Sequence, residues 1–311
     1  MNALKFIFYL SFFVSLSLFG QAKQVCFSFD DLPVVNYGTR DTNMEKAIME
    51  KLIVSLTARN VPTIGFVNEK KLYEKDSLID FQVDLLKKWR DSGLELGNHT
   101  FSHIDYHTAS FDEYTNDILK GEIVTNELLS EKNTKSKYFR HPFLHIGNTK
   151  GKADSLNDFL GNHGYTVAPV TIDNEDYIFA RAYQKAKIKN DTNLMAQIGT
   201  DYISYMEMKL KYFENESNKL FNRNIKQILL IHASLLNSDY IDSLISMFKR
   251  NNYNFISMDE ALEDEAYKSE ITAFGDWGIS WIDRWALSQG KKGDFFKDEP
   301  VTPKYITEIA K

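Results

Sequence analysis

The sequence predicts an α/β fold with a parallel sheet or barrel at its centre. Two observations lead there. Short apolar, strand-like runs alternate with helical periodicity after residue 22, and the side chains best suited to chemistry stand at the C-terminal ends of those runs. No Pro/Gly/Ser-rich linker and no internal repeat interrupts the alternation, so one barrel domain over 23–270 is expected, with an extension over 271–311 packed on it.

The elements follow in order. Val25-Cys26-Phe27-Ser28-Phe29 alternates and delivers Asp30-Asp31 to its end, where Pro33 stops a central strand. Thr42 with Glu45 reads as a capping box opening a helix that carries Ile48, Leu52 and Leu56 on one face. A strand from Thr63 to Val67, a helix from Phe81 to Arg90 and a strand from Leu94 to Gly97 come next, the last running into Asn98-His99. Ser110 with Glu113 caps a helix expected to reach about Ser130. Tyr138-Phe139-Arg140 is a short strand stopped by Pro142, followed by a helix around Leu156 to Asn162 and a strand from Tyr165 to Ile172 ending in Asp173. Residues 178–222 read as a helical insertion before the strand Ile225 to Ile231, which ends in His232. A helix from Asp239 to Arg250 and a strand Phe255-Ile256-Ser257 close the pattern. Trp277, Trp281 and Trp285 recur at helical spacing and are expected on one face of a C-terminal helix.

Composition narrows the function. At 43% hydrophobic and 26% charged, the 311-residue chain is neither disordered, collagen-like nor a coiled coil. A net charge of −6 argues against a nucleic-acid partner, and the single cysteine, Cys26, excludes an internal disulfide framework and a multi-cysteine zinc site. Residues 1–22 place Lys5 before an apolar run from Phe6 to Phe19 and end in small residues, which reads as a secretory signal peptide cut after Ala22; a retained N-terminal anchor is the alternative. A signal of this kind predicts a periplasmic or secreted protein, with no stable membrane insertion after cleavage.

Five strand ends carry Asp30/Asp31, His99/His103, Arg140, Asp173/Asp176 and His232. At that end of a β/α barrel the loops converge on one mouth. His99 and His103, four residues apart, share one face of a helical turn and can share a metal with a carboxylate such as Asp31; two solvated loop histidines are the bland alternative. His107 continues the spacing and reads as a surface or supporting residue, and His141 and His145 read as bystanders near the mouth. Adjacent residues of a strand face opposite sides, so Asp30 and Asp31 should divide the work, one binding metal and the other accepting a proton. A carboxylate beside a bound cation stays ionised and can serve as general base, and His232 suits the matching acid.

Taken in order, Phe29-Asp30-Asp31, His99-Thr100-Phe101-Ser102-His103, Arg140-His141-Pro142-Phe143, Asp173-Asn174-Glu175-Asp176-Tyr177 and Leu229-Leu230-Ile231-His232 resemble the five motifs of the polysaccharide deacetylases, carbohydrate esterase family four. The resemblance spans about Val25 to Asp264. It implies a distorted β/α barrel with fewer than eight strands, the helical insertion preceding its last catalytic strand. It also implies a divalent metal, zinc foremost with cobalt, manganese or nickel as alternatives, and hydrolysis of acetyl groups from a glycan, in the first place an N-acetylated amino-sugar polymer or oligosaccharide.

Residue by residue, the resemblance implies that Asp30 is the catalytic base and that Asp31, His99 and His103 are the metal ligands. Arg140 would hold the base through two parallel hydrogen bonds. The backbone N–H of Phe143 would help form the oxyanion site, Asp176 would tune the acid, His232 would be the general acid, and Tyr177 and Leu230 would wall the acetyl pocket. Two positions depart from the family pattern: Tyr177 stands where Trp is usual, and Leu144 where a Gly commonly follows the aromatic residue. An O-acetyl polysaccharide esterase on the same site is one alternative. A non-catalytic glycan-binding protein is another, although it would normally have lost part of the Asp30, Asp31, His99, His103 and His232 set.

Overall fold

The first strand, β1 (Lys23–Leu32), sorts the chain into an inside and an outside. Val25, Phe27 and Phe29 join an apolar cluster with Leu52, Leu56, Leu244 and Phe248, whereas Cys26 joins a second cluster with Ile64, Phe66, Tyr138 and Ile228. Side chains of a strand alternate, so Ser28 and Asp30 share the face of Cys26 and point into the enclosure formed by that second cluster. The computed structural model describes residues 23–38 and 40–311; the expected signal peptide falls outside the described residues.

The remaining strands are β2 (Thr63–Val67), a small hairpin β3 (Tyr73–Glu74) and β4 (Ser77–Leu78), β5 (Glu95–Asn98), β6 (Tyr138–Phe139), β7 (Thr166–Val167), β8 (Gln227–His232) and β9 (Tyr253–Phe255). The main sheet runs β7-β6-β5-β2-β1-β8, with β9 also against β1, and its pairings are parallel. Beyond β7 the chain returns to the far edge. There Ile172 bridges Leu229 in parallel, the Ile172 amide donates to the Ile228 carbonyl at 3.0 Å, and the Leu230 amide donates to the Ile172 carbonyl at 3.3 Å. The sheet therefore curls onto itself and closes through one bridge, which is the distorted β/α barrel of fewer than eight strands.

The helices are α1 (Thr42–Ala58), α2 (Asp80–Asp91), α3 (Phe111–Lys120), α4 (Ile123–Ser130), α5 (Lys150–Asn162), α6 (Asp176–Ile188), α7 (Thr192–Phe221), α8 (Leu235–Arg250), α9 (Met258–Leu262), α10 (Trp281–Ser288) and α11 (Lys304–Ala310). Among the described residues no helix is long and apolar enough to cross a membrane. The pair α6 and α7 is the helical insertion expected before β8.

Four expectations are corrected. Asp41, not Thr42, caps α1, accepting from the Asn43 and Met44 amides at 3.0 and 3.1 Å. Glu45 turns inward to accept from Gln82 Nε2 at 2.5 Å, so it is not available to close a capping box. The helix from Ser110 does not run on to Ser130 but breaks between α3 and α4 at Gly121. The strand predicted from Tyr165 to Ile172 shrinks to β7, because the Ala168 and Pro169 carbonyls turn to Arg140 instead of a neighbouring strand.

The three tryptophans do not share a helix face. Helix α10 starts at Trp281 behind the cap Ser280, and Trp277 lies before it, half-exposed, while Trp281 and Trp285 are buried. The intervening Gly278 has a reason to be glycine: a Cβ there would stand 2.1 Å from the Phe143 carbonyl oxygen, so the segment must lie flat against that loop.

Candidate active site

The C-terminal ends of β1, β5, β6 and β8 open into a cavity of about 600 Å³ lined by Asp30, Asp31, His99, His103, Phe143, Tyr177, Leu230 and His232 among others. Of the ten residues given a role by the resemblance, these eight line the cavity, as does Asp173, and the other two, Arg140 and Asp176, stand fully buried behind it.

Arg140 fills the barrel interior. Its Nη1 donates to both oxygens of Asp30, at 3.1 and 3.3 Å, while Nη2 reaches Ser28 Oγ and the Pro169 carbonyl and Nε the Ala168 carbonyl. The expected pair of parallel bonds is thus replaced by one nitrogen shared between two oxygens. The other guanidinium nitrogens are taken by the broken β7 edge and by Ser28, which shares the Asp30 face of β1. Burial raises the Asp30 carboxyl above its ordinary value, against the opposing pull of Arg140.

Asp31 sits at an irregularity near the end of β1 with φ of 62° and faces two imidazoles: its Oδ1 stands 3.9 Å from His99 Nε2 and 3.7 Å from His103 Nε2. His99 Nδ1 meets the Arg140 carbonyl at 2.8 Å, so Nδ1 carries the proton and Nε2 presents its lone pair to the cavity. Burial holds both histidines down to about 4, which keeps them neutral at pH 7. Burial alone would raise Asp31, but positive charge nearby, the Lys71 ammonium foremost, outweighs it and keeps the carboxylate ionised well below the usual range. Asp31 Oδ1 is buried with no hydrogen-bond partner. A bare anionic oxygen aimed at two neutral imidazole lone pairs repels them, and a divalent cation among the three removes the conflict. The donor set, two imidazoles and a carboxylate, fits such an ion.

The opposite wall is a second dyad. His232 Nδ1 lies 2.7 Å from Asp176 Oδ1, and Asp176 Oδ2 accepts from the His232 amide at 2.8 Å and Asn237 Nδ2 at 2.7 Å. Tyr202 of the helical insertion donates to Asn237 Oδ1 at 2.6 Å, so the insertion helps to orient the dyad. Burial opposes charge on His232, but Asp176, with Asp31 and Asp30, outweighs it and pushes the imidazole up to about 9.

Backbone strain gathers at this mouth. Eleven non-glycine residues among the described ones have positive φ; five are asparagines, but Asp31, Thr100, His103, Phe143 and Leu144 all lie at strand ends or in the loops that follow them. Such conformations cost about 1 kcal/mol or more each and persist only where the surroundings impose them. Leu144, at φ of 56°, adopts the left-handed conformation glycine would take freely. It is held there by buried Arg284, whose Nη2 donates to the Leu144 and Trp277 carbonyls, both at 2.8 Å.

Residues 20–168 match the family described as polysaccharide deacetylase. The match covers just under half of the chain. A mutant of a CE4 family pseudoenzyme from Bacillus anthracis shares its fold at a TM-score of 0.50 and 14% identity, covering 78% of this chain and 68% of that one. Peptidoglycan deacetylase PdaC from Bacillus subtilis gives a TM-score of 0.48 at 16% identity, over 78% of this chain and 91% of that one. A family 4 carbohydrate esterase from Bacillus anthracis gives 0.47 at 20%, over 78% and 83%. No curated protein matches the chain.

The break at Gly121 has a role at the site. A Cβ there would stand 2.4 Å from the Thr100 carbonyl carbon and the Phe101 nitrogen, and Asp117 on the same helix accepts from the Phe101 and Ser102 amides through its carbonyl and carboxylate. The end of α3 is thus a seat for the loop carrying His103. We expect Gly121→Ala to lower stability by about 1–3 kcal/mol and to weaken zinc binding, whereas Gly151→Ala, with nothing within 4 Å of its Cβ, does neither. Melting curves and zinc titrations of the two variants check this; equal behaviour would remove the seat.

Several pocket residues carried no sequence signal. Val35, Tyr37 and Gly278 line the cavity from loops, and Lys71, just before the β3–β4 hairpin, donates to the Asp31 carbonyl at 2.6 Å. Ser28 was legible, since it stands two residues from Asp30 on the same strand face.

Proposed function

We propose that the protein is a metal-dependent hydrolase that removes acetyl groups from a glycan, an N-acetylated amino-sugar polymer or oligosaccharide being the first substrate class. One observation carries the reading: the unpartnered Asp31 oxygen faces two neutral imidazoles, between a buried carboxylate and a carboxylate-backed histidine. Because one structural neighbour is a pseudoenzyme, the reading rests on these residues and not on the fold.

Asp31, His99 and His103 would hold the metal, zinc in the first place, which when bound would polarise the acetyl carbonyl and acidify water at neutral pH. Asp30 takes a proton from the attacking water, with Arg140 keeping its carboxylate in place. The Phe143 amide supports the carbonyl oxygen as charge develops there, a type of contact worth about 3–4 kcal/mol. Tyr177 and Leu230 wall the acetyl group. His232, protonated on Asp176, gives its proton to the departing sugar nitrogen, so that acetate and a free amine result. Residues 1–22 would take the protein to the periplasm or the medium; the Lys5 and apolar-run pattern supports that placement.

The test is acetate release by the purified chain from N-acetylated and O-acetylated glycans, with chelator and zinc add-back on each. We expect chelator to suppress acetate release from an N-acetylated substrate and zinc to restore it. Release from O-acetylated glycans alone would make the enzyme an esterase, and no release from any glycan by zinc-loaded protein would end the catalytic reading.

A further inference from the structure

The cavity holds an oriented histidine that the proposed reaction does not use. His145, in the loop after β6, lines the cavity together with Phe143 and Gly278. Its Nδ1 lies 2.6 Å from Asp105 Oδ1, which also accepts from the His107 amide at 2.8 Å. With Nδ1 donating to a carboxylate, the neutral ring carries its lone pair on Nε2. That nitrogen has no hydrogen-bond partner among the described residues and, unlike both ring nitrogens of His107, is not buried.

The ring is fixed before any ligand arrives. It stacks on His107, with centroids 3.7 Å apart and planes 6° from parallel. The loop carrying His107 is braced in turn: Lys152 Nζ donates to the Tyr106, His107 and Ala109 carbonyls at 3.1, 3.1 and 3.3 Å, and Tyr106 Oη donates back to the Lys152 carbonyl at 2.8 Å. A side chain held in this way loses little freedom on binding. Across from it, a Cβ at Gly278 would come within 3.3 Å of His145 Cδ2, so glycine there leaves the ring edge uncovered. The half-exposed Phe143 ring stands between His103 and His145, at 4.4 and 5.6 Å between centroids. A group on His145 Nε2 therefore lies across an aromatic side chain from the residues that would hold the metal.

We propose that His145, positioned by Asp105, is a glycan-binding residue whose Nε2 accepts a hydrogen bond from a sugar hydroxyl remote from the acetyl group under attack. The inference rests on the glycan reading of the cavity and adds which part of the ligand this wall meets. A cavity of about 600 Å³ is far larger than an acetyl group, so most of it is left for the sugar. Pockets of this size fix the orientation of a ligand through a few placed polar groups. The lone pair of a neutral imidazole calls for a donor; sugar hydroxyls supply one, and an acetyl group has none to give.

The experiment is a calorimetric titration of the zinc-loaded Asp30→Asn protein, in which the ligand stays intact, with a tetramer of N-acetylglucosamine; melting curves establish folding. Adding His145→Asn keeps a donor for Asp105 but removes the Nε2 acceptor, and should raise the Kd about 2–10-fold, the loss of one hydrogen bond. His145→Gln, whose amide reaches the Nε2 position, should retain more affinity than His145→Asn. Zinc content by atomic emission is expected to be equal in all three proteins. No binding by the parent, the same Kd with His145→Asn, a greater loss with His145→Gln, or a loss that tracks missing zinc would overturn the proposal. Acetate release by the wild type from the same tetramer decides the catalytic reading separately. Release combined with binding indifferent to His145 removes this inference alone, whereas His145-dependent binding without release leaves it standing in a glycan-binding protein.

Discussion

Asp30→Asn is expected to keep its zinc and lose turnover by about 10²–10⁴-fold, the range a positioned general base contributes. The amide has almost the same shape and can still accept from Arg140 through its oxygen, but it cannot take a proton from water. Asp31, His99 and His103 are untouched, so zinc content measured by atomic emission should equal that of the wild type. The substitution also leaves the fully buried Arg140 without a counter-ion, its other partners being the Ser28 hydroxyl and two carbonyls. Removing one member of a buried pair costs up to about 3–5 kcal/mol, so the melting temperature should fall as well. Near-normal turnover in Asp30→Asn would move the base to Asp173 or Glu175, the other carboxylates lining the cavity.

Asp176→Asn is expected to abolish the acid while sparing the base and the metal. Asp176 accepts at both oxygens, from His232 Nδ1 on one and from two N–H groups on the other. An asparagine cannot satisfy both sides. If its oxygen takes the His232 and Asn237 N–H groups, its NH₂ faces His232 Nδ1 and forces the proton to Nε2. The imidazolium then loses its counter-charge, while burial continues to disfavour the charged ring.

In the metal-free protein the wild-type His232 ring should titrate near 9 by NMR, and in Asp176→Asn it should fall below the ordinary histidine value. The sign for stability follows from the same shift. A folded-state value raised above the unfolded one stabilises the protein fully below about 6.5 and loses that contribution as pH rises through about 9. The variant should therefore lose less stability than the wild type over that interval. For turnover, a carboxylate-to-amide change behind a catalytic histidine costs about 10⁴-fold in serine proteases, and a loss of about 10²–10⁴-fold is expected here. Unchanged titration of His232 in the variant would show that Asp176 does not set its charge.

The side chains of the main cavity were legible because they stand at strand ends, which local pattern reveals. A strand terminating in Asp30-Asp31 or His232 announces itself through alternation followed by a polar residue, and parallel strands bring such ends to one rim. The stack of His107 on His145 was not legible in the same way. His107 continued the spacing of His99 and His103, but the chain turns at Asp105 and Tyr106, so it stacks on His145, which comes from the loop after β6.

Sequence by itself determined the main alternation of strands and helices and the five strand-end groups, since these depend on neighbours within a few positions. Tertiary structure decided what those groups touch. Arg140 meets Asp30 across 110 residues of chain, and Tyr202 reaches Asn237 behind Asp176 from within an insertion that showed only helical periodicity. The break at Gly121 and the displacement of Trp277 from its helix were decided in the same way: each is required by backbone from a distant loop passing within contact distance, and close approach between remote segments leaves no periodic trace in either one.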